Sequence, residues 1–475
     1  MLDRLPPELL LDIIRRLGAR RQDLKALCRV SKQIHARVVP VLYHPVTLFT
    51  RDEGRLEALN DPTSLVLARF KGYFRHTRDI RVIAPFHSKT STCDNRCFHN
   101  YKWTAERDEM TIARSVRTVL EGCQEGNLRC FRWELGSCIP ELVLRCLATK
   151  QRNLESLHFI TDGSCRRSQW EWSDDCTWLT NLKRFSWAGL WGLDSENTEF
   201  KTLVSILNGV SHQLEDLSIN FEYYVENWGY YGVQLSELLL VLPAKYKLRP
   251  STLWGMFPVL RSLTLSRVSF GRTEAFGDET PGILHAFDFS TIESLKLRSC
   301  YGWERVLGHL TTMLETKSDS RRFAMRCLEV TDYDDTNDYM YLYSRPGQAE
   351  DRPAVIISFL ESFEGLQSIF IGLGTGPPEL NVWRAASHHR QTLRQFVYHQ
   401  QKNTLDWDKG PVDEDEEADE ESEPLLSSDS EASGLIGDDS PRHPLQGLAN
   451  VRSIGLGFQL RWMVRNSSSL SRSNY

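Results

Sequence analysis

Leu154-Glu155-Ser156-Leu157-His158-Phe159 sets apolar side chains at its first, fourth and sixth places and polar ones between them. The alternation in its second half is that of a short strand with one face buried. The same rhythm recurs as Leu128/Phe131/Trp133, Leu182/Phe185/Trp187, Leu214/Leu217/Ile219, Leu260/Leu263/Leu265 and Ile292/Leu295/Leu297. It continues as Met325/Leu328/Val330, Leu366/Ile369/Ile371, Leu393/Phe396/Tyr398 and Val451/Ile454/Leu456, with a weaker copy at Thr77/Ile80/Val82.

Helical stretches separate these units: 140–150 opens on a proline, and 202–210, 308–315 and 354–363 carry apolar residues at helical intervals. Strand, loop and helix in repetition predict stacked units, none of which can bury its strand face alone. The first anchors lie between 26 residues apart (Leu128 to Leu154) and 46 apart (Leu214 to Leu260). Regular leucine-rich repeats are shorter, at about 20–29 residues. An asparagine expected after the strand is mostly missing, with Asn220 alone near such a place. The pattern therefore resembles an irregular, degenerate leucine-rich repeat. The other reading is an α/β domain whose strands share an apolar rhythm.

Working outward to the N-terminus, Pro6 and Pro7 suit the first turn of a helix, where a missing N–H costs nothing. Leu9, Leu10, Ile13, Ile14 and Leu17 follow at helical spacing, and Gly18 fits a C-terminal stop. Asp23 is placed to cap a second short helix, and Ser31 a third that Pro40 would end. Three helices of this length carry more apolar surface than so small a unit hides by itself.

The run Leu5-Pro6, Glu8-Leu9-Leu10, Ile13-Ile14, Leu17, Asp23-Leu24, Leu27 and Val30-Ser31-Lys32 resembles, in order and spacing, the F-box. That is the docking module of substrate receptors in cullin-type ubiquitin ligases. The tail Val39 to Tyr43 is similar to the fungal variety, while Ile34 stands where many members carry an aromatic residue. The resemblance implies an F-box over 1–45. Leu5, Pro6, Leu9, Ile13, Leu17, Leu27 and Val30 would face a Skp-family adaptor, and through it a cullin scaffold. A helical cap on a larger fold is the other reading of this segment. The expected architecture is α/β: a three-helix F-box, then an irregular leucine-rich-repeat-like solenoid over 60–465. Its function would be to hold an unknown protein substrate. Non-catalytic scaffolding without delivery to the ligase is the alternative.

In each strand unit the residues flanking the last two apolar positions should form the exposed face. His158, Arg184, Asp216, Lys296, Arg298 and Glu329 are the charged or titratable members singled out as a candidate substrate surface. The 37-residue stretch from Phe221 to Phe257 adds Tyr223, Tyr224, Trp228, Tyr230, Tyr231 and Trp254, which suit either partner anchoring or packing of a long loop.

Charge is unevenly placed. The stretch 411–440 holds 13 acidic residues and no Lys or Arg, which against a formal net charge of −6 leaves the remaining chain net positive. Such a stretch reads as a disordered insertion, and 466–475 as a disordered tail. No basic cluster with interleaved aromatics points to nucleic acid. No apolar run approaches the ~20 residues of a membrane span. The N-terminus lacks the pattern of a secretion signal. The 11 cysteines are odd in number and scattered, so a reducing location, cytoplasmic or nuclear, is expected.

Signs of chemistry are weak. Cys93, Cys97 and His99, with His87 as a conceivable fourth ligand, match no usual zinc spacing. Gly372-Leu373-Gly374-Thr375-Gly376 is followed by Pro377 and Pro378, not by a phosphate-binding Lys-Ser/Thr. His212, His285, His309, His388 and His389 have no nucleophile in a local signature. No catalytic residue, metal or cofactor is expected.

Overall fold

The computed structural model describes residues 5–17, 20–49, 71–83, 114–135, 139–161, 178–190, 198–221, 233–235, 239, 256–270, 284, 286–316, 323–331, 352–373, 379–400 and 450–457. The aromatic stretch 222–232, the Cys93–His99 group, Gly374–Gly376, the acidic insertion and the tail lie outside them.

The chain divides into two units, Met1–Val306 and Leu307–Tyr475. The first opens with three helices, α1 (Pro7–Arg16), α2 (Arg21–Leu27) and α3 (Lys32–Leu42). Pro7 sits in the first turn of α1, where no N–H is needed. Ser31 caps α3, its hydroxyl accepting from the Ile34 N–H at 3.2 Å.

Two expectations need correction here. Asp23 does not cap α2: it lies in the first turn, where its charge suits the helix dipole, and Arg20 takes the capping position. Pro40 does not end α3 but sits inside it. The ring removes a donor to the preceding turn. Val38, Val39 and Leu42 are all buried, and their packing holds the last turn in place.

The three helices close over a core of Leu10, Ile14, Leu24, Ile34, Val38 and Leu42. Tyr43 then stacks on Tyr73 at 4.9 Å. The chain runs directly into β1 (Pro45–Phe49), a strand not anticipated from the sequence.

Every recurrence of the apolar rhythm is a strand. The first unit continues with β2 (Asp79–Ile83), β3 (Cys130–Glu134), β4 (Ser156–Ile160), β5 (Arg184–Leu190), β6 (Asp216–Phe221), β7 (Val233–Gln234), β8 (Ser262–Ser266), β9 (Val268–Ser269) and β10 (Ser294–Arg298). Strands β1-β2-β3-β4-β5-β6-β8-β10 lie side by side, all parallel. The short pair β7-β9 stands apart. The second unit sets β11 (Cys327–Thr331), β12 (Ser368–Leu373), β13 (Gln395–Gln400) and β14 (Ser453–Gly457) side by side, again parallel. Parallel pairing needs a crossover, and among the described residues helices supply several of them. Those at Glu141–Lys150, Thr198–Val210, Trp303–Thr316 and Arg352–Glu361 fall where the apolar periodicity placed them. Helices at 114–122 and Glu379–Ala386 are additions. The architecture is α/β, three short helices followed by leucine-rich-repeat-like stacking of parallel strands.

Register keeps equivalent residues in line: Leu157 lies opposite Phe131 and Phe185, and Phe159 opposite Trp133 and Trp187. All six are buried. Phe159 meets Trp187 edge to face at 5.3 Å, and Trp187 Nε1 donates to Thr161 Oγ1 at 2.9 Å. Fully burying one such side chain contributes about 1.5–3 kcal/mol, so a continuous column of them is what stacking gains over an isolated unit.

The asparagine of a regular repeat is mostly missing after the strand, and polar residues before the strand do its tying instead. Asn127, Asn153, Asn181, Gln213, Thr291, Thr392 and Asn450 each precede the first apolar anchor of a unit. Asn127 Nδ2 donates to the Thr77 carbonyl at 3.1 Å and Asn153 Nδ2 to that of Gly126 at 2.9 Å. Gln213 Nε2 donates to Leu179, Thr291 Oγ1 to Leu260, Thr392 Oγ1 to Leu366 and Asn450 Nδ2 to Gln391. Each bond ties a repeat to the one before it. After the strand, Cys300 takes the expected asparagine's part, its thiol donating to the Leu265 carbonyl at 3.2 Å.

Candidate interaction surface

The side chains that alternate with the buried anchors form a row across each unit's strands. In the first unit the central row reads Arg81, Arg132, His158, Ser186, Ser218, Thr264 and Lys296, set side by side by the parallel register. Neighbours in such a row stand about 4.8 Å apart. Charges from distant parts of the chain are thereby gathered on one face.

Arg81 Nε donates to Glu134 Oε2 at 2.8 Å, and the same carboxylate, largely buried, lies 3.8 Å from His158 Nε2. Burial pushes the His158 imidazole below its usual range, Glu134 pulls it back up, and Arg132 and Arg81 push it down again. The balance is a neutral ring at neutral pH, so His158 and Glu134 form no ion pair there. Arg132 Nε approaches Cys130 Sγ at 3.4 Å.

A second group forms around Asp216. Burial raises its carboxyl, while a hydrogen bond from Ser262 and the charges of Arg184 and Lys296 lower it. Arg184 lies opposite Asp216 in register. Of the residues singled out from sequence, the structure thus joins Arg184, Asp216 and Lys296, and places His158 in the neighbouring Arg81–Glu134 group. Arg298 is exposed at the end of β10. Glu329 belongs to the second unit, half-buried and in register with Phe370. Sequence reasoning missed Arg81, Arg132 and Glu134. They occupy the same alternating positions, in Thr77/Ile80/Val82 and Leu128/Phe131/Trp133, and extending the exposed-face rule to those units would have found them.

The helical unit presents a different surface. Among the residues expected to face an adaptor, Leu9 is 55% exposed, Ile13 39% and Val30 58%. Pro6 is exposed as well. Leu5, Leu17 and Leu27 instead pack partly buried against the helical core. Leu9 and Ile13 stand one turn apart on α1 and share one face of it.

Burial suppresses the nucleophilic character of four of the described thiols. Burial raises the thiols of Cys28, Cys130 and Cys146, and pushes that of Cys123 up to about 12. A protonated thiol is a poor nucleophile and a poor metal ligand. Among the described residues no three His, Cys, Asp or Glu side chains converge to hold a metal ion. No helix among them is long and apolar enough to cross a membrane. No protein-family model and no curated protein matches the chain.

Proposed function

We propose that this chain is the substrate-recognition subunit of a Skp–cullin–F-box ubiquitin ligase. Its N-terminal helices dock on the Skp-family adaptor, and its repeat units hold a protein target. The observation that carries the reading is the exposure of Leu9, Ile13 and Val30 on a helical unit that already encloses a core of its own. Three large apolar side chains left in water on so small a unit support a role in partner contact. The order and spacing of Leu5 to Lys32, which resemble the F-box, support a Skp-family adaptor as that partner. The chain's contribution is proximity: a tethered target makes transfer to a lysine effectively intramolecular.

Replacing Leu9 and Ile13 together with Asp tests this. Both side chains are exposed, so the fold is expected to persist, with unchanged circular dichroism. Recovery of a Skp-family adaptor in a pull-down is expected to fall at least about tenfold, since two desolvated charges oppose the contact. Recovery at the wild-type level by the folded variant contradicts the proposal.

A further inference from the structure

The residue that follows the first apolar anchor stands just before each strand opens, and these strand-opening residues form a row of their own. In the first unit the row reads Arg78, Arg129, Glu155, Lys183, Glu215, Arg261 and Glu293, alternating in sign from Arg129 onward. Backbone bonds from Glu155, Lys183, Glu215, Arg261 and Glu293 to the residue before hold it in line at 2.7–2.9 Å. The charges pair at 3.1 Å (Arg129–Glu155), 3.0 Å (Lys183–Glu215) and 3.7 Å (Arg261–Glu293).

The second unit holds the same row with the same backbone bonds, but it reads Arg326, Gln367, Arg394 and Arg452. All three arginines are exposed. Among the described residues no carboxylate lies within ion-pair distance of any of them. Four strands at about 4.8 Å spacing put the three cations within roughly 15 Å. Beside them on the same strands lie the small or uncharged Cys327, Ser368, Gln395 and Ser453, and then Phe370, 36% exposed between Glu329 and Val397.

We propose that this strand-opening edge of the second unit docks an acidic stretch of the protein target, with an apolar side chain of that stretch on Phe370. The inference rests on the reading of the repeats as target-binding. Like charges on neighbouring strands repel, and an anionic ligand relieves that repulsion. Guanidinium forks suit carboxylates and phosphorylated side chains alike. Glu329 lies in register with Phe370, and an acidic residue beside the ring disfavours a polyanionic nucleic-acid strand there.

The test is fluorescence anisotropy with the full chain and a short fluorescein-labelled peptide, glutamate throughout except for a central leucine. Arg326→Glu, Arg394→Glu and Arg452→Glu combined should weaken binding about tenfold or more, and Phe370→Ala severalfold. Lys183→Glu with Arg261→Glu, in the first unit, should change it less than about twofold. Equal binding by the triple variant overturns the proposal. So does tighter binding of a single-stranded oligonucleotide. Peptide binding that emerges only when the chain's own acids at 413–423 are replaced by amides also overturns it, in favour of an occupant in cis. Adaptor pull-down with the same variants separates the two claims: loss of peptide with adaptor retained concerns this edge alone, and absence of adaptor binding by the wild type concerns the F-box reading alone.

Discussion

The two units are built from the same repeat and treat the same positions differently. The first unit spends its strand-opening charges on one another and ties its repeats together through Asn127, Asn153, Asn181, Gln213 and Thr291. The second ties two of its repeats in the same way, through Thr392 and Asn450, and carries Ala324 and Gly365 at the other two tying positions, as the first carries Val259 before Leu260. It differs in holding Arg326, Arg394 and Arg452 without carboxylate partners among the described residues. A repeat position is therefore not committed to one purpose. Where neighbours complement each other it contributes cohesion, and where they do not it is available for a ligand.

The largest test of that contrast uses two glycines, both at positive φ. Gly189, φ +83°, closes β5, and a Cβ there would stand 1.7 Å from the Thr161 carbonyl oxygen. Gly365, φ +122°, has nothing within 4 Å of the equivalent point. Gly189→Ala should destabilise the first unit by more than about 3 kcal/mol, because the backbone of the adjacent repeat has to move. Gly365→Ala should cost the second less, about 1–3 kcal/mol, the conformational strain alone. Denaturant unfolding followed by two probes, one per unit, compares them. Similar losses would show that the repeats are not packed as tightly against one another in the first unit as the structure has them.

Acid should separate the units next. His389 is buried in the second unit, and its Nδ1 accepts from the Leu366 N–H at 3.4 Å. Burial, with His388 beside it, lowers the imidazole to about 4, against a smaller opposing pull from the Leu360 backbone. The folded form thus resists a proton that the unfolded chain takes up near pH 6.5. Stability contributed by the neutral ring is intact above pH 6.5 and is lost as pH falls toward 4, by roughly 2–4 kcal/mol in all. His389→Gln keeps an acceptor for Leu366 and should flatten that slope in a melting series between pH 7 and pH 4, in units defined by the same linkage. An unchanged slope would remove His389 as its source.

The smallest effect concerns the charges themselves. Lys183→Glu replaces an exposed 3.0 Å pair with two like charges and should cost under about 1 kcal/mol, less in high salt. Arg394→Glu breaks no described pair and should be neutral or stabilising, since it relieves repulsion from Arg452. Equal costs in melting experiments would erase the difference between the two rows.

How much of this was legible in the sequence follows from range. The strands were readable because alternation is local, and even the weak Thr77/Ile80/Val82 copy forms one. The tying residues were looked for after the strand, by analogy with regular repeats, although the Asn-Leu pairs at 127, 153 and 181 show them before it. Local propensity marks Pro40 as a stop, and burial of Val39 and Leu42 overrides it. The exposed rows were legible position by position. Which members meet was not, because Arg81 reaches Glu134 across 53 residues and only register brings them together. Likewise the apolar residues expected to face an adaptor stand out in the sequence only as a pattern. Their division into exposed Leu9, Ile13 and Val30 and partly buried Leu5, Leu17 and Leu27 depends on how α1 and α2 lean on α3.

The most direct measurement is a calorimetric titration of the purified full chain with a purified Skp-family adaptor, repeated with Val30→Asp. One-to-one binding in the micromolar range or tighter, weakened about tenfold or more by that single exposed substitution, is the expected result. No detectable binding by the folded wild-type chain, or binding that Val30→Asp and the Leu9/Ile13 double variant leave unchanged, would contradict the account.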